Sequence, residues 1–492
     1  MFMGAVLYPC GRCDATPLQS ACGARMFSRA RNRASDVARP ARPAAGEGGV
    51  RYPRLDKSKT RLGEPPLPHP AECLAPVRLA VDVFFRLLVI TFIESFATTL
   101  IERGVYFYSH DRLAFTDGEN LGLALGFGAA YALGALSSHR LARRMSEKGL
   151  LLASLVAQIA GHMTLFFSAG STLLVVMNAV LGCLNGLKWP VVESYVNAGQ
   201  TPREQVGTVW RFNLSWAPAV ALGLVAAGPL IEWWSPSLFA SAAALNLVSL
   251  ALLWPLDRRP VHLPLDHPER PVPQAMARYR ALLASSRWAM LGSYSLMWIL
   301  AALLPRVYAD LDIGVRGATA LSALLDVLRT AAFLVCGLWR SWHNRRWPLV
   351  LVIFGLPAGF FLSLFGPELA GVFAGHGGLG LALVLVGEVI FGLVAGTTYY
   401  AALYYAMVVK NAAVEAGGAH EGLIGAGFAV GPLAGLAGSW MAPAVGGAVA
   451  GMSLGVSPIV ITCSAGAVWF LLKCGRYPRS DDASRVPASR GP

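Results

Sequence analysis

The chain has 492 residues, of which 55% are hydrophobic and only 14% charged, and its mean hydropathy is +0.51. Soluble domains carry roughly 25% charged residues, so a soluble enzyme is excluded at the outset, and the 52 glycines lack the three-residue period of collagen. The formal charge of +13 would argue for nucleic acid only if it formed one basic face; what remains is an all-α polytopic membrane protein.

In chain order, residues 1–76 come first. They hold twelve Lys/Arg, many Pro and Ala, and no apolar stretch long enough to span a bilayer, and are expected to be a disordered basic tail. The first residues lack a charged leader and a full apolar core, so no signal peptide is expected, and Met26 is an equally good start. Cys10, Cys13 and Cys22 lie in this tail without a second pair at finger spacing, which implies neither a zinc site nor a disulfide framework.

A helix needs about 20 mainly apolar residues to cross the hydrocarbon core. Twelve segments meet that requirement: 84–108, 118–138, 149–168, 172–197, 206–232, 237–256, 288–309, 317–339, 347–366, 379–408, 418–442 and 452–473. The Pro-, Arg- and His-rich residues 257–287 form the longest loop and divide the chain into bundles 77–256 and 288–475, followed by a disordered tail 476–492. With the amino terminus inside, the inner loops carry Arg140, Arg143, Arg144, Lys148, Arg203, six arginines from Arg258 to Arg287, then Arg340, Arg345, Arg346 and Lys410. The outer loops and their margins hold only Arg103, Arg112, Arg306 and Arg316. Positive charge stays on the cytoplasmic side, so the basic excess is topology and not nucleic-acid binding. The expectation is an even number of spans in a prokaryotic inner membrane, with both termini cytoplasmic.

The two halves repeat one another. A shift of 210 residues places Gly182 on Gly392, Gly186 on Gly396, Trp189 on Tyr399, Tyr195 on Tyr405, Gly207 on Gly417 and Gly228 on Gly438. A second alignment sets Gly134, Ser138, Arg143 and Arg144 after span two against Gly337, Ser341, Arg345 and Arg346 after span eight. Internal repeats of this kind occur in many transporter folds.

With two six-helix halves, a long central loop and a basic loop after span two, the chain resembles the major facilitator superfamily. The loop signature of that family, Gly-x-x-x-Asp-Arg/Lys-x-Gly-Arg/Lys-Arg/Lys, reads here Gly134-Ala135-Leu136-Ser137-Ser138-His139-Arg140-Leu141-Ala142-Arg143-Arg144, with Ser138 in place of the Asp and Leu141 in place of the second Gly. Tyr404-Tyr405-Ala406-Met407, His420-Glu421-Gly422 and Gly431-Pro432 are similar to a prokaryotic branch. The resemblance covers about residues 80–475 and implies two pseudo-symmetric bundles, with spans one, four, seven and ten along the substrate path.

Polar residues inside apolar spans should face a wet cavity or a partner. On span one, Thr91, Glu94, Ser95, Thr98 and Glu102 share a helical face. On span four the stripe is Asn178, Gly182, Asn185, Trp189 and Glu193, and its repeat on span ten is Glu388, Gly392, Tyr399 and Leu403. Tyr294, Met297 and Trp298 share a face of span seven. The substrate cavity is expected at Thr91, Glu94, Thr98, Asn178, Asn185, Lys188, Trp189, Tyr294, Trp298, Glu388 and Tyr399, with Glu94 and Glu388 as proton carriers. Packing alone accounts equally for the aromatic residues, and Lys188 could instead snorkel to the interface. At the cytoplasmic gate, Arg211 is expected to bridge Glu421 or Glu193, beside Gly134, Arg143 and Arg144. Asp326 and Arg329, three apart on span eight, are expected to neutralise each other. The glycines and prolines of spans five and eleven permit close contact and bending.

A Gly-x4-Gly-Lys-Ser/Thr loop and a His-Glu-x-x-His motif are both lacking, so neither direct ATP use nor zinc-protease chemistry is expected, and no cofactor or metal is implied. The function expected is a monomeric secondary transporter, not an enzyme, that moves a small solute by alternating access, with a proton as the candidate coupling ion. A non-transporting membrane sensor or scaffold and a lipid translocator are the alternatives on the same fold.

Overall fold

The computed structural model describes residues 70–199, 202–260, 273–373, 377–410 and 414–477. The basic tail before residue 70 with its three cysteines, residues 261–272 of the central loop and the tail from residue 478 lie outside the described residues. From Val83 onward the described residues form one compact unit; Met1–Asp82 form another, of which only the helical stretch from Pro70 is described.

Apart from one short 3-10 turn, every regular element among the described residues is an α-helix. Span one is Pro70–Glu102 continued, after a break at Arg103, by Gly104–Leu113. Spans two to six are Asp117–Met145, Glu147–Phe167, Ser171–Val196, Pro202–Trp234 and Ser237–Leu252. Spans seven to twelve are Pro273–Ala309, Val315–Leu338, Trp347–Phe373, Gly377–Lys410, Val414–Val445 and Ala448–Cys474. Eleven of these are long and apolar enough to cross a membrane, and the sixth, Ser237–Leu252, is apolar but shorter.

Local chemistry sets several of these ends. Thr116 and Glu119 form a reciprocal capping box at the start of span two, with the Thr116 N–H donating to Glu119 at 2.8 Å. Span six stops early, ahead of Pro255, which has no N–H to continue the ladder and disfavours a helical Trp254; the Lys148 ammonium donates to the Trp254 and Leu256 carbonyls at 2.6 and 2.9 Å. Span seven begins at Pro273, inside the expected central loop. Its Arg278 is buried and donates to the Cys474 and Tyr477 carbonyls at 2.9 and 3.0 Å, tying down the end of span twelve. That arginine is therefore structural as well as topological.

The repeat is visible in the packing of the two halves. A Cβ added at Gly182 or Gly186 of span four would come within 2.6 or 2.1 Å of the Phe127 or Tyr131 carbonyl oxygen of span two. One added at Gly392 or Gly396 of span ten would come within 2.3 or 2.7 Å of the Leu325 or Arg329 carbonyl oxygen of span eight. The same pair of glycines, one turn apart, lets the same two helices touch in each half. The second alignment fares differently: Gly134 packs on the Cys183 carbonyl of span four, whereas Gly337 packs on the Trp210 ring of span five. The glycine contacts match Phe127 and Tyr131 to Leu325 and Arg329, a shift of 198 residues, which sets Gly134 against Ala332 rather than Gly337.

Two long helix pairs join the halves. Spans two and eleven meet from Gly435 against Leu121, through Gly128 against Phe428, to Gly418 against Ala135. Spans five and eight meet from Gly228 against Arg316 and Thr319 to Gly337 against Trp210, with the Trp216 and Phe333 rings 5.2 Å apart between them. Both pairs run alongside a central cavity bounded by the two halves.

Candidate functional site

The cavity has a volume of about 100 Å3 and is bounded by both halves. Span one supplies Ser95, Thr98, Thr99, Glu102 and Arg103; spans seven, eight and ten supply Tyr294, Met297, Trp298, Arg329 and Tyr399. Aromatic rings make most of the remaining wall. Trp298 stacks on Phe428 with centroids 3.4 Å apart, and Trp216 meets Tyr399 edge-on at 5.1 Å. Of the expected cavity residues, Thr98, Trp189, Tyr294, Trp298 and Tyr399 line it.

Charge in this wall is unevenly distributed. Asp326 of span eight pairs with Arg329 at 2.9 Å, as its spacing suggests, and also with Arg103 of span one at 3.4 Å. Two guanidiniums therefore share one carboxylate across the bundle interface. The Arg329 guanidinium also lies 4.8 Å over the Trp216 ring, and its Nε has no partner. Arg103, counted in the sequence as an outer-loop charge, is buried at the break in span one. The sequence signal for this was its neighbour Glu102, already on the polar stripe.

Glu94 and Lys188 are not among the residues that line the cavity. They form an ion pair of 2.6 Å in the amino-terminal half, where Asn246 donates to both Glu94 oxygens at 3.0 and 3.1 Å. The Lys188 ammonium also donates to Thr98 Oγ1 at 3.2 Å and to Gln158 Oε1 at 3.3 Å. Gln158 and Thr98 in turn donate to Asn185 Oδ1. Lys188 is 0% exposed, which excludes snorkelling. Thr91 bonds only the Leu87 carbonyl of its own helix, and Asn178 donates to the Leu123 carbonyl at 3.0 Å. Glu388, the repeat partner of Asn178, accepts from the Tyr308 hydroxyl at 2.9 Å inside the other half.

On the side of the basic loops, Arg211 is exposed and joins neither Glu193 nor Glu421. Glu421 instead accepts from the Tyr131 hydroxyl and shares a hydrogen bond with Glu193. Gly417, one turn before Glu421, allows this, since a Cβ there would come within 2.8 Å of Glu193 Oε2. Ser138, where the family signature has an acid, donates to the Leu187 carbonyl at 2.9 Å and so ties span two to span four. Arg143 and Arg144 are exposed. Among the described residues, the group able to hold a metal is Glu193, His420 and Glu421, one ligand atom from each lying within 4.8 Å of the others.

A central cavity between two repeated helical halves is the architecture of a membrane carrier. The family model described as Major Facilitator Superfamily matches residues 83–435, and the chain belongs to that superfamily. It is an integral multi-pass membrane protein and a secondary transporter. Solved structures share the fold. A bacterial homologue of the human lysosomal transporter Spinster, inward-facing and unoccupied, is 13% identical with a TM-score of 0.57, over 81% of this chain and 97% of that one. The nucleoside transporter NupG is 12% identical with a TM-score of 0.55, over 79% and 99%. A POT family transporter, in complex with a thioalcohol-conjugated peptide, is 13% identical with a TM-score of 0.61, over 80% and 96%. No curated protein matches the sequence significantly.

Proposed function

We propose that this transporter moves a small amphipathic organic anion through the central cavity by alternating access. The observation that carries the proposal is that two guanidiniums of the cavity wall, Arg103 and Arg329, share the single carboxylate of Asp326 as ion-pair partner, among aromatic walls that also hold Glu102 and Glu421. An anionic group on the solute would complete the pairing of Arg329, and its apolar body would lie against Trp189, Trp298 and Phe428. Because Arg103 and Arg329 come from different halves, a solute held by both favours the conformation in which the halves close around it.

The Glu94–Lys188 pair supports a reading with proton coupling. Protonation of Glu94 would release the Lys188 ammonium, which already reaches the cavity-lining Thr98. A proton on Glu94 and an anion near Lys188 would then favour one another. Glu388, hydrogen-bonded to Tyr308, is the second candidate carrier. The exposed Arg140, Arg143, Arg144, Arg258 and Arg259 support a cytoplasmic assignment for that side, with both termini there, in a prokaryotic inner membrane. The chain is proposed to work as a monomer, since the cavity is complete within one copy.

The test is uptake of radiolabelled aromatic and aliphatic carboxylates, with neutral and cationic analogues alongside, into liposomes holding the purified protein. Uptake of a carboxylate, reduced at least about tenfold in Arg329→Gln, is expected, about 1.4 kcal/mol of lost binding. Equal or better uptake of the neutral and cationic analogues would refute the anion assignment.

A further inference from the structure

One buried cluster borders the central cavity through Glu421 but is not used in the anion pairing just proposed. Glu193 on span four and His420 and Glu421 on span eleven come from opposite halves, and one ligand atom from each lies within 4.8 Å of the others. The three are 5%, 1% and 5% exposed. Both imidazole nitrogens of His420 and Oε1 of Glu193 lack a hydrogen-bond partner. Among the described residues, no Lys or Arg forms an ion pair with either carboxylate. Tyr131 and Tyr399 flank the cluster, Glu102 adds negative charge to Glu421 from span one, and Arg287 acts electrostatically on His420 from span seven.

Two carboxylates without a cationic partner are costly in a medium of low dielectric constant. One shared proton leaves a net negative charge, and even two protons leave the His420 nitrogens without a partner. A divalent cation neutralises both carboxylates and takes an imidazole nitrogen as third ligand. One imidazole with two carboxylates is a donor set suited to first-row divalent ions such as Zn2+.

We propose that Glu193, His420 and Glu421 form a binding site for a divalent transition-metal ion of the Zn2+ class, bridging the two halves on the side of the basic loops. The Tyr131 hydroxyl orients Glu421 from outside the ligand set. Because the ligands come from both halves, the site is complete only while spans four and eleven are together. Occupancy therefore stabilises closure on this side, and separation of those spans releases the ion.

The full-length protein in lipid nanodiscs, stripped with a chelator, is titrated with ZnCl2 in a calorimeter, with Co2+ absorption as a second readout. The expected result is one saturable equivalent. Binding should weaken at least about tenfold in His420→Ala and in Glu193→Gln and stay unchanged in Glu119→Gln on the exposed surface. Wild-type protein that takes up no stoichiometric metal overturns the proposal, as does binding that survives both substitutions. Proton uptake at the cluster without metal binding assigns it to protons and overturns the proposal equally. If either variant fails to fold, Glu193→Asp, which keeps the ligand type at shorter reach, serves in its place, and the wild-type titration remains decisive.

Discussion

At the scale of single residues, the interior of the amino-terminal half depends on a charge pair that water does not reach. Glu94 and Lys188 are both 0% exposed and 2.6 Å apart, held by Asn246, Thr98 and Gln158. Removing one partner leaves the other charge uncompensated, which costs about 3–5 kcal/mol, whereas removing both can be close to neutral. Lys188→Met should therefore unfold at markedly lower temperature than wild type, and the double variant with Glu94→Gln should recover most of the loss, as a calorimetric double-mutant cycle would show. Glu94→Gln alone should also flatten the pH dependence of uptake. A pH profile identical to wild type would remove Glu94 from the coupling scheme.

Among the helices, stability rests on where backbones touch. Gly186 sits so close to span two that a Cβ would lie 2.1 Å from the Tyr131 carbonyl oxygen, with backbone on both sides and nothing flexible to move. Gly186→Ala should lower stability by about 1–3 kcal/mol through overpacking. Gly122, in an open position on span two, has nothing within 4 Å of its added Cβ, so Gly122→Ala should be neutral or stabilising by up to about 1 kcal/mol through helix propensity. Thermal unfolding in one detergent would compare the two. The repeated contact at Gly392 and Gly396 predicts the same penalty in the other half.

For the whole molecule, the relevant quantity is the balance between conformations. Arg306 at the end of span seven pairs with Asp117 at the start of span two at 2.8 Å, both side chains about 30% exposed, on the side opposite the basic loops. An ion pair this exposed contributes at most about 1 kcal/mol, so Arg306→Gln should barely change the unfolding temperature. The pair does join the two halves, and a difference of that size still shifts a conformational ratio several-fold. Spin labels at Glu119 and Asp310, both exposed, should show a larger population at long distance in the variant, and an unchanged distribution would show that the pair does not hold this side closed.

Composition, span periodicity and the placement of arginines determined the class of fold, the number of helices and the glycines at 182, 186, 392 and 396, because hydropathy, charge sidedness and close packing are each written locally along a helix. The helical stripes and polar residues of the spans pointed to Thr98, Trp189, Tyr294, Trp298 and Tyr399, which line the cavity, and equally to Thr91, Glu94, Asn178, Asn185, Lys188 and Glu388, which do not. Pairing was decided only by the tertiary structure. Glu94 takes Lys188, and Arg103 crosses to Asp326. Glu421 meets Glu193 and Tyr131 rather than Arg211. Helical periodicity gives the face a side chain occupies but not the rotation of the neighbouring helix that meets it, so contacts between residues distant in sequence become fixed only when the two halves pack.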